Sequence, residues 1–286
     1  MKVFHGNEIM KKIGLGFLLL IIGVLGFFEI NQYLRHQERK NRQFIVSLSD
    51  QWKTLVPHNK KQALPAEVAN RLQQPFFFLG AGRQTIVFKS ADGSCVLKLF
   101  KNVTKKRKQR RVRESLLGAY LAKEKLPEET GMIFCSLAGI KTKHFNVTLL
   151  NKKGKIEVVD LSYTPFILQQ KVQPLKETLL CLRANGDLPG AQKCIQSVFD
   201  LLATCREKQV VDRDGALIRN GNIGLIGTKA ILIDTGKLCV LTDQKKQTLH
   251  DLNRLRPLFS WCKCAYPELL PTLRACQEKY KNSFAS

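Results

Sequence analysis

One stretch constrains this chain more than any other: Ile13–Phe28, sixteen uninterrupted apolar or glycine residues directly behind Lys11 and Lys12. As a helix it reaches roughly 24 Å at 1.5 Å per residue, against a hydrocarbon core of ~30 Å. Lys12 can snorkel, and Ile30, Tyr33 and Leu34 carry the apolar path past Glu29 and Asn31. An N-terminal membrane anchor is the expectation, with a cleaved secretory signal and a buried core helix as its competitors. No A-x-A-like cleavage site closely follows the run, and no cysteine stands near it for lipid attachment. Nothing beyond residue 30 repeats this apolar density, which excludes a multi-span protein.

The rest of the chain is basic. Lys and Arg total 47 against 23 Asp and Glu, a net charge of +24, which favours anionic partners without choosing among nucleic acid, lipid headgroups and phosphorylated ligands. The nine cysteines all lie beyond residue 94, and their number is odd. That argues against the disulfide framework of a small secreted domain and for buried thiols in a reducing compartment. Cys262-Lys263-Cys264 offers two metal ligands with only His250 nearby and no second pair at zinc spacing.

Organisation follows from pattern. Residues 1–34 read as the anchor, 35–74 as a polar linker with a short helix started by Pro65 and carrying Val68 and Leu72, and 75–286 as one globular domain. Strands are predicted at Phe76–Leu79, Ile86–Phe88 and Cys95–Phe100, then at Gly131–Ser136, Phe145–Leu150, Ile156–Leu161 and Thr164–Gln169. A helix follows the basic run Lys101–Arg113, with Leu116, Leu117, Tyr120 and Leu121 on its apolar side. Ile195, Val198, Phe199, Leu202 and Cys205 mark a second helix, and short apolar segments return at Ile223–Ile226 and Ala230–Ile233. Two C-terminal helices carry Leu249, Leu252, Leu255, Leu258 and Phe259, then Leu269, Leu270, Leu273 and Cys276. Strands first and helices second give an α+β fold.

Chemistry concentrates at four places. Gly80 and Gly82 sit in a hairpin where backbone amides can approach phosphate oxygens. Lys98 lies mid-strand, on the opposite face from Leu97 and Leu99, and Glu114 in the next helix is a candidate partner for its ammonium. Asp212-Arg213-Asp214 opens a loop that runs through Asn220 and Asn222 into a strand. Asp234 leaves another apolar strand into a glycine turn, where it could hold a divalent cation with an asparagine oxygen as second ligand. A hydrogen-bonded Asx-rich loop is the plain alternative for this last pair.

In this order the residues resemble the protein-kinase-like superfamily. Leu79-Gly80-Ala81-Gly82-Arg83-Gln84-Thr85-Ile86-Val87 looks like its glycine-rich loop, with Thr85 where a third glycine usually stands, and Cys95-Val96-Leu97-Lys98 looks like the strand bearing the nucleotide lysine. Asp212-Arg213-Asp214 resembles the catalytic triplet, with Asp212 in place of histidine, and Asp234-Thr235-Gly236 resembles the metal-binding triplet, with Thr235 in place of phenylalanine. The family's asparagine follows its catalytic aspartate more closely, whereas Asn220 is six and Asn222 eight positions beyond Asp214. Only 50 residues follow Gly236, without an Ala-Pro-Glu-like stop, so the pattern is nearer to compact enzymes acting on small molecules, sugars or lipids than to peptide kinases.

The resemblance implies a two-lobed fold with a strand-rich N-lobe and a small helical C-lobe. It implies an ATP- and Mg²⁺-dependent transfer of the γ-phosphate to a hydroxyl acceptor. Gly80, Gly82, Thr85, Lys98 and Glu114 would serve the nucleotide, Asn222 and Asp234 the metal, and Asp214 the acceptor. An inactive pseudokinase scaffold and a membrane-tethered protein binding nucleic acid or anionic lipid through Lys101–Arg113 are the other readings. Reduced cysteines, a need for ATP and the excess of Lys and Arg after the apolar run together favour a single-pass protein with a cytoplasmic C-terminal domain.

Overall fold

Residue alternation builds the first half of the molecule, and the computed structural model describes residues 61–101, 106–214 and 222–283. Pro65 precedes helix α1 (Ala66–Leu72), which buries Val68 and Leu72 as predicted. Pro75 ends that turn and leads into a meander of β1 (Phe76–Ala81), β2 (Thr85–Ser90) and β3 (Cys95–Phe100). The β2–β3 turn is fixed by Asp92, whose carboxylate accepts hydrogen bonds from the Ser90 hydroxyl at 2.6 Å and the Ser94 amide at 2.9 Å, with Gly93 at φ +72°. Helix α2 (Lys106–Lys125) then crosses to β4 (Met132–Ser136), β5 (Asn146–Leu150), β6 (Ile156–Asp160) and β7 (Phe166–Gln170). Asn151 and Gly154 close the predicted β5–β6 hairpin: the Asn151 side chain accepts from the Lys153 and Lys155 amides, and Gly154 takes φ +73°.

These strands form one mixed sheet in the order β4–β7–β3–β2–β1–β5–β6. Its pairings are antiparallel except that between β1 and β5. Cross-strand pairing puts Phe88, Leu97 and Leu168 on one face, and Val87, Lys98 and Ile167 on the other. The Lys98 face is covered over β3, β7 and β4 by α2, whose Val112, Leu116 and Ala119 pack on Phe100, Cys135 and Ile167. Central β3 is buried on both faces, which is why a lysine in it is shielded too.

The second half is helical. It runs through β8 (Gln173–Pro174), α3 (Leu175–Ala184), α4 (Leu188–Glu207), β9 (Val210–Asp212), β10 (Ile223–Ile226), β11 (Lys229–Leu232) and β12 (Leu238–Val240). It ends in α5 (Gln244–Ala265), a 3₁₀ turn (Pro267–Leu269) and α6 (Leu270–Asn282). Asp187 caps α4 through the Gly190 amide, and Asp243 caps α5 through that of Lys246. Ile195, Val198 and Leu202 of α4 meet Leu255 and Leu258 of α5 and Leu273 of α6 in a core that also holds Leu179 of α3. Two small sheets, β11–β10–β8 and β12–β9, line this core and carry the loops of interest.

Three expectations change. The apolar run Ile13–Phe28 lies outside the described residues, and among the described residues no helix is long and apolar enough to cross a membrane. The long helices are amphipathic: α5 alone carries Lys245, Lys246, Asp251, Arg254, Arg256 and Lys263. A fold headed by one transmembrane helix is corrected accordingly, and so is the single-pass, cytoplasmic placement built on it. The two-lobed kinase-like fold is corrected as well. The described residues all fall within one compact unit, and the strand-rich half is a seven-stranded mixed sheet in which β5 and β6 extend beyond β1. Labels that lean on that fold, kinase-like and ATP-binding, lose its support. Finally, α2 begins inside the basic run and turns a different face inward, leaving Leu117 38% and Tyr120 37% exposed.

Candidate functional site

The site is built around the turn Asp234-Thr235-Gly236, between β11 and β12. Asp234 folds it by accepting the Gly236 amide on Oδ1 at 2.9 Å. Helix α2 packs directly on this turn. A Cβ at Gly118 would collide with the Thr235 carbonyl, and one at Gly236 would stand 2.8 Å from the Ser115 hydroxyl. Two glycines thus bring helix and turn backbones together where side chains would hold them apart.

Ile233, just before the turn, gathers residues from two other segments. Its amide donates to the Asn222 carbonyl at 2.8 Å, and its carbonyl accepts from Lys98 Nζ at 2.5 Å. Lys98 is therefore an inward-facing ammonium beside Asp234. Burial lowers its pKa to about 8, against the opposing pull of the Asp234 charge. Strand register places Gly80, Val87 and Lys98 in one row across three strands. Nothing occupies the space within 4 Å of a Cβ at Gly80; within the hairpin the Gly82 amide bonds the Thr85 carbonyl at 2.9 Å.

On the other side of the turn stands the Asp212-Arg213-Asp214 segment, joined to β12 by the Asp212–Leu238 pairing and by the Arg213 amide on the Lys237 carbonyl. Arg254 of α5 fixes it from within: Nη2 contacts Asp212 Oδ2 at 2.5 Å and Nε donates to the Asp214 carbonyl at 2.8 Å. Burial pushes the Asp212 carboxyl up to about 6, while Arg254 pulls it down. Asp214 itself is half-buried, with Oδ1 2.8 Å from Lys237 Nζ and Oδ2 3.4 Å from Asn222 Nδ2. Burial raises the Asp214 pKa, but these two partners and Arg254 outweigh it and hold the carboxyl below its ordinary value.

Lys98, Asp214, Asn222 and Asp234 are thus brought into one constellation. Asn222 is 3% exposed and Asp234 is exposed. Asn220 lies outside the described residues. Glu114 is not in the constellation: it is 52% exposed and pairs with Arg110 at 3.2 Å, while its neighbour Ser115 faces the turn. Ser115, Gly118, Lys237 and Arg254 escaped sequence reasoning. A glycine within a long helix and an arginine amid the leucines of α5 are the signals that mark two of them.

Among the described residues no group of three or more His, Cys, Asp or Glu could hold a metal ion. Cys262 is buried in the helical core and Cys264 is exposed, which leaves them no shared zinc site. Asp234 and Asn222 carry oxygen donors of the hard kind that Mg²⁺ takes. No protein-family model matches the chain, and no curated protein matches it.

Proposed function

We propose that this site is a phosphotransferase centre, in which a nucleoside triphosphate with Mg²⁺ donates its γ-phosphate to a hydroxyl acceptor. One observation carries the reading: a shielded ammonium, Lys98, bonds the residue just before the Asp234 turn, and the half-buried Asp214 carboxylate bonds Lys237 just after it, from segments far apart in sequence. The likeness to protein-kinase-like sequences supports it at the level of these residues and not of the overall fold.

In this reading the hairpin that carries Gly80, Gly82 and Thr85 lies along the triphosphate and Lys98 neutralises its inner oxygens. Val87, on the same face as Lys98 and half-buried, offers an apolar surface beside it. Asp234 and Asn222 would hold Mg²⁺, which would supply charge neutralisation at the phosphates. Asp214 orients the acceptor hydroxyl and takes its proton as the oxygen bonds to phosphorus and the bond to the leaving diphosphate breaks.

A second reading, nucleotide binding without transfer, is favoured by Glu114, whose carboxylate pairs with Arg110 and not with Lys98. Calorimetric titration of the full chain with ATP decides the common part. Binding is expected to require Mg²⁺, to vanish in D234A and to weaken at least about tenfold in K98A, the loss of one charge-assisted contact. Wild-type-like affinity in both variants would overturn the site. Release of ADP over time then separates transfer from binding alone.

A further inference from the structure

Both oxygens of Asp214 are engaged in the resting site. Oδ2 meets the Asn222 amide at 3.4 Å, and Oδ1 meets the Lys237 ammonium at 2.8 Å. An acceptor hydroxyl that approaches this carboxylate along either of these directions takes the place of one of them. Asn222 is 3% exposed and adjoins β10, whereas the Lys237 side chain is 51% exposed and ends a flexible four-carbon stem. Lys237 is the partner free to move. Its backbone holds still, because its carbonyl accepts the Arg213 amide at 3.1 Å and the following Leu238 amide bonds Thr235. The ammonium can therefore swing on a fixed base, between Asp214 on one side and the Asp234 turn three residues earlier on the other.

We infer that Lys237 is a further catalytic residue, which leaves Asp214 when substrates bind and contacts the phosphoryl group in flight. This rests on the phosphotransferase reading. In the transfer, the acceptor oxygen bonds to the γ-phosphorus, the bond from that phosphorus to the β–γ bridging oxygen breaks, and the acceptor proton passes to Asp214. Midway, the moving group stands between the acceptor and leaving oxygens, with its charge spread over three equatorial oxygens. An ammonium placed there acts on the transition state more than on the bound nucleotide. Lys98 differs: its hydrogen bond to Ile233 anchors it against the part of the nucleotide that does not move.

Binding of Mg-ADP with and without aluminium fluoride, a planar mimic of the phosphoryl group in flight, tests this without knowledge of the acceptor. For K237M, affinity for Mg-ADP is expected to stay within about twofold of wild type. Affinity for the Mg-ADP–aluminium fluoride complex is expected to fall about 100-fold, the usual cost of losing one transition-state donor. K237R should restore most of that loss, which a merely structural role would not require, and K98M should weaken both complexes. If K237M affects both complexes equally, or neither, the inference fails. If wild type binds neither, the phosphotransferase reading itself fails. Unchanged thermal unfolding of K237M keeps these outcomes distinct from misfolding.

Discussion

Gly118 lies against the carbonyl oxygen of Thr235 so closely that any side chain would collide with it. Helix α2 and the Asp234 turn are therefore packed backbone to backbone. In G118A one of them must shift, at a cost of roughly 1–3 kcal/mol. Urea unfolding should report that loss, and calorimetry a weaker Mg-nucleotide affinity than the stability loss alone explains. Full stability with full affinity would show that the turn tolerates the displacement.

Lys98 couples the site to pH. Its pKa falls from 10.5 unfolded to about 8 folded, so between those values the unfolded chain holds the proton more tightly than the native one. Stability contributed by this group therefore rises as pH increases from about 8 to 10.5 and is lowest below 8. K98M removes the buried charge, so its stability relative to wild type should be highest near pH 7 and fall as pH rises toward 10.5. Denaturant titrations at three pH values measure this directly.

Arg254 and Asp212, 3% and 2% exposed, form a buried ion pair. R254M strands the Asp212 carboxylate and should cost about 3–5 kcal/mol. The double variant R254M/D212N is expected to recover a sizeable part of that loss, because no unpaired charge remains. Additive losses in a double-mutant cycle would contradict the pairing.

Glu114 makes the opposite forecast. Its partner is an exposed arginine on its own helix, so E114Q should change stability by no more than about 0.5 kcal/mol and leave Mg-nucleotide affinity within about twofold. A tenfold loss of affinity would place Glu114 in the site after all.

The thiols give a chemical map. All nine are free; Cys135, Cys205 and Cys262 are buried, and desolvation pushes each to about 12. Iodoacetamide applied to native protein should label the exposed Cys181 and Cys264 first, and those three only on unfolding. Peptide mass spectrometry reads the order.

Much of this was legible from local pattern. Alternation placed Lys98 on the face opposite its leucines, proline spacing bracketed α1, and Asn151 with Gly154 announced a hairpin. What escaped depended on phase and tertiary contact. In α2, Leu117 and Tyr120 look like core residues, yet Gly118 and Ala119 turn inward because small side chains admit the Asp234 turn. The same rotation replaces Glu114 with Ser115 at the site. α3 has short, mixed periodicity and gave no signal above its flanking residues. β9 and β12 are three residues each and exist through pairing with one another. Arg254 is a surface residue by composition and becomes internal because Asp212 and the Asp214 carbonyl receive its guanidinium.

The bond from Lys98 to Ile233 joins residues 135 positions apart. On a ribosome, the β1–β3 meander emerges and can pair long before Ile233 has been polymerised. Local strands close early at small entropic cost, whereas this contact awaits a residue made much later. A nascent chain thus carries its lysine through the synthesis of 135 further residues with no partner to receive it, and the centre comes into being only after β11 has been made.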